Sequence, residues 1–190
     1  SIFFLKNNNF NFLTLPSFLL FIFFISFSIS KLFKKKELKS SDYYLIVTLF
    51  YFIIKFTRVS EFGVDLPAII FSILSIYYFI KFFEADKISE KKTIFYYNFA
   101  FSIFSVLIKL STGPIIFLTI YLFVKNFKEL KSYIFGYRFL IIYFLIVIFL
   151  IQQFIYTGCL FFPSTLTCLK VSWFNVDYIH LSKQLELINK

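Results

Sequence analysis

The sequence predicts an all-α fold, a polytopic bundle of transmembrane helices with about six spans. About 20 mostly apolar residues are enough to cross the ~30 Å hydrocarbon core of a bilayer. Apolar segments of suitable length cover residues 10–30, 43–59, 66–83, 93–110, 112–127 and 134–156. Hydrophobic residues make up 59% of the chain and charged residues only 16%, which leaves too little polar surface for a water-soluble domain of this size.

The first apolar segment has about the length of a signal-peptide core. Lysines follow this segment instead of preceding it, and no small-residue cleavage site stands before Lys31. We therefore expect a spanning helix with a stop-transfer flank. Because the chain begins at Ser1 and contains no methionine, we expect an internal or C-terminal fragment of a larger membrane protein.

Basic residues alternate between the gaps that separate the apolar segments, and this alternation predicts the orientation. The lysine-rich gaps contain Lys31, Lys34, Lys35, Lys36 and Lys39, then Lys81, Lys87, Lys91 and Lys92, then Lys125, Lys128, Lys131 and Arg138. The intervening gaps hold only Lys55, Arg58 and Lys109. Cytoplasmic loops are enriched in Lys and Arg, so we expect the lysine-rich gaps in the cytoplasm and both ends of the chain on the outside.

The net charge of +10 raises nucleic acid as an alternative partner. The charges lie in short loops without a nucleic-acid-binding motif, and membrane orientation accounts for them. We therefore expect the lipid bilayer as the partner and no nucleic acid. For the cluster from Lys31 to Lys39, contact with anionic lipid headgroups stays open beside a role as a solvated flank.

The gap at residues 57–67 places two carboxylates in an outward turn. Gly63 permits a positive φ, and Pro67 suits the first turn of the next helix. Asp65 stands close to the N-cap of that helix, which is a structural alternative to a role in catalysis. Glu61 has no comparable local role, and both residues are candidate catalytic carboxylates.

Three cations depart from the positive-inside pattern at the same interface. They are Lys55, Arg58 and Lys109. A cation at the end of a helix interacts favourably with the helix dipole and its stem can snorkel, which is the structural alternative for Lys109. The sharper hypothesis is that the three bind the phosphate of a lipid-linked substrate, because cations at such positions are costly and are retained for function.

The last part of the chain, 157–190, is predicted to be an outward loop followed by a short amphipathic helix, after a transmembrane region at 1–156. Cys159 and Cys168 flank Pro163 in this loop, and their spacing allows a disulfide in an oxidising compartment. With His180 as the single histidine, the two cysteines do not predict a zinc site. We expect no metal and no cofactor.

Three short motifs carry a family resemblance over residues 55–185. They are EFGVDLP ahead of one span, KLSTGP between two spans, and YTGCLFFPSTLTCLKVSW after the last. Their order resembles large bacterial inner-membrane proteins similar to C-type glycosyltransferases. The resemblance implies many spans, a base-like acidic residue in an outward loop, and a donor sugar carried on a polyprenyl phosphate. Glu61 and Asp65 are the residues that match this loop.

We therefore expect a part of a C-type glycosyltransferase-like enzyme that acts on lipid-linked sugars in envelope polysaccharide assembly. The alternative from another class is a carrier or flippase of lipid-linked oligosaccharide, which needs polar side chains within its spans. Only Asn98, Gln152 and Gln153 stand out there. A non-catalytic membrane subunit is the third hypothesis.

Overall fold

A computed structural model describes residues 14–33, 37–55 and 65–158, and every regular element in these ranges is helical. The α-helices are α1 (Thr14–Phe33), α2 (Ser40–Lys55), α3 (Asp65–Glu84), α4 (Ile88–Ile108), α5 (Ile116–Lys125), α6 (Phe127–Ile134) and α7 (Tyr137–Thr157). A 3₁₀ helix, Leu110–Ile115, joins α4 to α5. The predicted all-α class is confirmed for this part of the chain.

Two of the described helices are long and apolar enough to cross a membrane, namely Asp65–Glu84 and Tyr137–Tyr156. Leu110–Lys125 and Phe127–Ile134 make a third candidate only when they are taken together, and the chain bends by 112° between them. The apolar parts of α1 and α2 are shorter. The structure thus supports a membrane protein with two or three spanning helices, and it does not support six.

The difference between six predicted spans and the two or three supported has a local cause at the fourth and fifth predicted spans. Glu90, Lys91 and Lys92 lie within α4 and make it less apolar than the segment 93–110 chosen from the sequence. The segment 112–127 begins in a 3₁₀ helix that contains Pro114, and this leaves only ten residues for α5. A run of apolar residues sets the potential length of a helix, but proline and bends set its actual length.

The chain divides into two compact units, residues Ser1–Gly136 and Tyr137–Lys190. The first contains α1 to α6. In the second, the described part is α7 and Gly158. Gly158 adopts a φ of 67°, and its N–H donates to the Phe154 carbonyl at 2.8 Å, which is how glycine commonly ends a helix. The predicted loop and amphipathic helix fall almost entirely at 159–190, outside the described residues.

Apolar side chains hold α1, α2 and α3 together in the first unit. The buried cluster is formed by Phe21, Phe24, Leu45, Phe52, Leu66, Ile70, Ile73, Leu74 and Tyr77. Phe52 of α2 meets Phe21 and Phe24 of α1 edge to face, with ring centroids 5.4 and 5.5 Å apart. Such pairs add roughly 0.5–1.5 kcal/mol beyond the apolar area that they bury.

The last turn of α3 is tied to the first turn of α2 by a carboxylate. Glu84 accepts hydrogen bonds from the backbone N–H and the hydroxyl of Ser41, both at 2.7 Å. Asp42 accepts from the N–H of Lys39 at 2.9 Å. The first N–H groups of a helix have no partner inside the helix, so these carboxylates satisfy them. The negative charges also interact favourably with the positive end of the helix dipole.

Candidate functional site

An ion pair joins the beginning of α3 to the end of α4. Lys109 Nζ lies 2.6 Å from Asp65 Oδ2, although the two residues are 44 positions apart. The accessible fractions of the two side chains are 41% and 40%, so the pair is open to a ligand. The structure therefore brings together two of the side chains that the sequence selected from separate gaps.

Local sequence explains why both charges lie at helix ends. Asp65 is in the first turn of α3, where a negative charge is favoured by the helix dipole. Lys109 has an extended backbone, with φ −145° and ψ 110°, and its N–H donates to the Ser105 carbonyl at 3.0 Å. The prediction that α4 ends near Lys109 is confirmed, and a cation is favoured at that end of a helix.

Several of the predicted site residues lie beyond the described part of the chain. Arg58, Glu61, Cys159 and Cys168 are among them, and for Lys55 only its place at the end of α2 is described. The proposed roles of these residues stay predictions. The part of the site that the structure describes is the Asp65–Lys109 pair and the polar side chains that continue from it.

A closed ring of hydrogen bonds lies between α3, α4 and α5. Asn98 donates to the carbonyl and hydroxyl of Ser75, at 2.8 and 3.2 Å. Ser75 and Ser102 share a bond of 2.7 Å, and so do Ser102 and Thr119. Thr119 closes the ring by donating to Asn98 Oδ1 at 2.8 Å. Since each hydroxyl has one proton, Ser75 must donate to Ser102, and Ser102 to Thr119.

A second group of hydrogen-bonded hydroxyls lies between the ion pair and this ring. Thr112 in the 3₁₀ helix donates to the Lys109 carbonyl at 2.7 Å. Ser105 lies 2.9 Å from the Thr112 hydroxyl and 3.0 Å from the Ala68 carbonyl. Ser72 and Ser105 share a bond of 2.7 Å. We call the whole set the polar seam: Ser72, Ser75, Asn98, Ser102, Ser105, Thr112 and Thr119.

Two members of the polar seam stand out in the sequence, Asn98 within an apolar segment and Thr112 within the KLSTGP motif. A signal was present, because serines at 72 and 75 and polar residues at 98, 102 and 105 recur at intervals of three or four, which places them on one face of a helix. Small polar residues are typical of helix–helix contacts in membranes, where backbones approach closely and hydroxyls bond across the interface.

The cavities beside the seam are apolar. One of about 250 Å³ lies between α1, α3 and α4, and its wall includes the stacked rings of Phe71, Tyr78, Tyr97 and Phe101. Another of about 120 Å³ lies between α4, α5 and α6 and is lined mainly by phenylalanine and isoleucine. Within residues 14–33, 37–55 and 65–158, no group of three or more His, Cys, Asp or Glu side chains is arranged to hold a metal.

The opposite end of the first unit is rich in lysines, and we call it the lysine end. The Ser41–Glu84 contact places the start of α2 there, and Lys125 Nζ lies 5.0 Å from the ring centroid of Phe83 near the end of α3. Other cations there lie over aromatic rings: Lys31 over Phe27, Lys81 over Tyr77 and Tyr78, Lys91 over Phe82, and Lys131 over Phe127. The lysines named here, all described residues of the first unit, thus lie at one end of it, away from Asp65 and Lys109.

A family model described as a domain of unknown function, DUF8201, matches residues 1–185. The chain belongs to the DUF8201 family. No curated protein and no solved structure matches it. For this DUF8201 chain, the glycosyltransferase resemblance therefore rests on the sequence motifs, and the geometry of the Asp65–Lys109 end has to be considered on its own chemistry.

Proposed function

We propose that this DUF8201 chain is part of a C-type glycosyltransferase-like enzyme that takes sugars from a polyprenyl-phosphate donor during envelope polysaccharide assembly. The observation that carries the proposal is the accessible Asp65–Lys109 pair at the lysine-poor end of the bundle. Sugar transfer from a phospholipid needs a carboxylate for the acceptor proton and a cation for the leaving phosphate. The Asp65–Lys109 pair supplies both a carboxylate and a cation at one end of the first unit.

The proposed orientation follows from the charges. The lysine end faces the cytoplasm of a bacterial inner membrane, and the Asp65–Lys109 end faces outward. Arg58 and Glu61 precede Asp65 by only a few residues, so they belong to the same outward region, and Lys55 ends the helix before them. In this arrangement the donor headgroup meets the ion pair while its apolar chain stays in the bilayer.

The ion pair suggests an order of events. Before the donor binds, Lys109 holds the Asp65 carboxylate. The donor phosphate competes for Lys109, and its arrival releases a carboxylate oxygen. Asp65 or Glu61 then accepts the proton of the acceptor hydroxyl as that oxygen bonds to the anomeric carbon. The bond from the anomeric carbon to the phosphate oxygen breaks, and polyprenyl phosphate leaves with its negative charge beside Lys109.

The polar seam favours an enzyme or a structural subunit over a carrier. A carrier needs polar groups that face a path through the membrane, but the hydroxyls and the amide of the ring bond to one another, and the neighbouring cavities are lined by hydrocarbon. A satisfied polar network fixes the positions of helices and does not hydrate a solute.

The test compares Asp65→Asn and Lys109→Ala in the full-length protein, reconstituted with a polyprenyl-phosphate-linked sugar and an acceptor. We expect Asp65→Asn to lower turnover by about 10²–10⁴-fold with donor binding retained, and Lys109→Ala to weaken donor binding. Glu129→Gln and Lys87→Ala are matched controls, since both residues are exposed at the lysine end. Unchanged transfer in both site variants would leave the non-catalytic subunit as the better account.

A further inference from the structure

Helices α5 and α6 meet in a sharp bend at the lysine end, and three exposed lysines surround it. The 112° angle turns α6 away from the direction of α5. Lys125, Lys128 and Lys131 are exposed, and Glu129 is the single acidic residue within residues 124–131. We call residues 124–131 the elbow, and its net charge is positive.

The elbow cannot turn its cations inward, because the other face of α6 is already occupied. Leu130 is buried to 1% accessibility, and Ile134 lines the apolar cavity beside Phe95 and Phe123. On a helix, residues 130 and 134 share one face and 128 and 132 lie on the opposite face, while Phe127 and Lys131 lie at the boundary between them. The apolar face of α6 thus packs on the bundle, and the charged face is left outward.

Large aromatic side chains flank the exposed lysines. Phe127 is 47% accessible and Phe135 is 81% accessible. Lys131 Nζ lies 5.7 Å from the ring centroid of Phe127, and Lys125 Nζ lies 5.7 Å from that of Tyr121. Aromatic rings and snorkelling lysines side by side are typical of the boundary between hydrocarbon and headgroups.

A shallow cleft of about 380 Å³ lies in the elbow and provides room for a headgroup. Residues 124–129 line it, including Lys125, Lys128 and the polar Asn126. The Asn126 amide donates to the Leu122 carbonyl at 3.0 Å, which fixes the end of α5 behind the cleft. The charged side chains that line the cleft are Lys125, Lys128 and Glu129.

We propose that the elbow binds the headgroup of an anionic phospholipid at the lysine-end interface, with Lys125, Lys128 and Lys131 around the phosphate and Phe127 and Phe135 at the level of the upper acyl chains. The positive charge selects an anionic lipid over a zwitterionic one, and the exposed rings select a bilayer over a soluble acidic protein. This site lies at the opposite end from Asp65 and Lys109, so it stands independently of the proposed transferase activity.

The test uses quenching of a single tryptophan by brominated lipids. The full chain carries Phe127→Trp in a Trp173→Phe background, and it is reconstituted in phosphatidylcholine with brominated phosphatidylglycerol or brominated phosphatidylcholine at equal mole fraction. We expect phosphatidylglycerol to associate about fivefold more strongly at this position, since a basic residue near an anionic surface contributes about that factor. A tryptophan at Phe144, exposed on α7, is the control position, where both lipids should quench equally.

Two further measurements tie the preference to the lysines. Replacement of Lys125, Lys128 and Lys131 by glutamine should abolish it, while glutamine at Lys170, Lys183 and Lys190 makes the same change in net charge and should leave it intact. Salt at about 1 M should also weaken it, because the Debye length falls to about 3 Å. Equal quenching by both lipids at position 127, or a preference that survives the triple replacement, would overturn the proposal. Absence of any quenching there would do so as well, and would leave the elbow to an acidic soluble partner.

Discussion

Thr119 of α5 donates a 2.8 Å hydrogen bond to the side-chain carbonyl of Asn98 in α4, and this contact closes the ring that links α3, α4 and α5. Asn98 is fully buried, and its amide also serves the carbonyl and hydroxyl of Ser75. One side chain thus satisfies polar groups on two neighbouring helices. Its removal would leave those groups without partners in an apolar environment, where they are costly.

Replacement of Asn98 by leucine is therefore expected to destabilise the first unit, even though leucine is similar in size and more apolar. The expected loss is about 1–3 kcal/mol, the usual cost of leaving buried polar groups unsatisfied. Thermal unfolding in detergent measures it. Gln152→Leu on α7 is the matched control, because Gln152 is exposed and does not belong to the hydrogen-bond ring. Equal stability of the two variants would show that the ring contributes little.

The Asp65–Lys109 pair is expected to matter little for stability. Both side chains are about two fifths accessible, and exposed ion pairs contribute about 0.2–1 kcal/mol. A double-mutant cycle with Asp65→Asn and Lys109→Gln measures the coupling from unfolding in detergent. A coupling of several kcal/mol would indicate a buried structural pair, and any loss of activity in these variants would then have to be separated from unfolding.

The orientation predicts which positions an impermeant thiol reagent reaches in intact cells. Cys159 and Cys168 are first replaced by serine. Single cysteines at Ser40, Ser89 and Ser132 should then be shielded by the membrane, because all three lie on the surface of the lysine end, which the proposed orientation places in the cytoplasm. A cysteine at Ser111, exposed in the 3₁₀ helix beside Lys109, should be labelled, as should one at Ser60. Labelling at Ser89 without permeabilisation would reverse or reject the topology.

The predicted disulfide between Cys159 and Cys168 lies outside the described residues and is tested directly. Mass spectrometry of the protein, kept from reductants and digested without reduction, should find the two cysteines in linked peptides. The bridge would close a short loop and contribute on the order of 2–3 kcal/mol. Two free thiols in protein from intact cells would argue against an oxidising compartment for this segment.

Apolar runs and charge spacing were enough to place most helices, but not to count spans. The prediction at 66–83 falls within α3, and the one at 134–156 overlaps α7 almost completely. The mostly apolar composition of the segment at 112–127 predicts one span. Pro114 and the bend after Lys125 shorten it, and the effect of a bend depends on what packs against it.

The candidate site likewise combines residues that the sequence predicts with contacts that only packing decides. The sequence selected Asp65 and Lys109 from two gaps, because charges at the edge of apolar segments stand out against their surroundings. It did not reveal that the two side chains touch, since a 2.6 Å contact depends on how α3 and α4 pair. The serines of the polar seam are not distinctive in the sequence, because serine is common in loops and at helix caps, and only burial between helices gives it this role.

By itself the sequence determined that this is a helical membrane protein with lysines gathered in alternate gaps, because hydrophobicity and charge act residue by residue and do not depend on the partner helix. Tertiary structure alone decided that Lys109 meets Asp65, that Asn98 closes a ring with Thr119, and that α6 turns its charged face outward at the elbow. These are relations between distant segments. They depend on packing geometry at the level of single ångströms, which local composition does not encode.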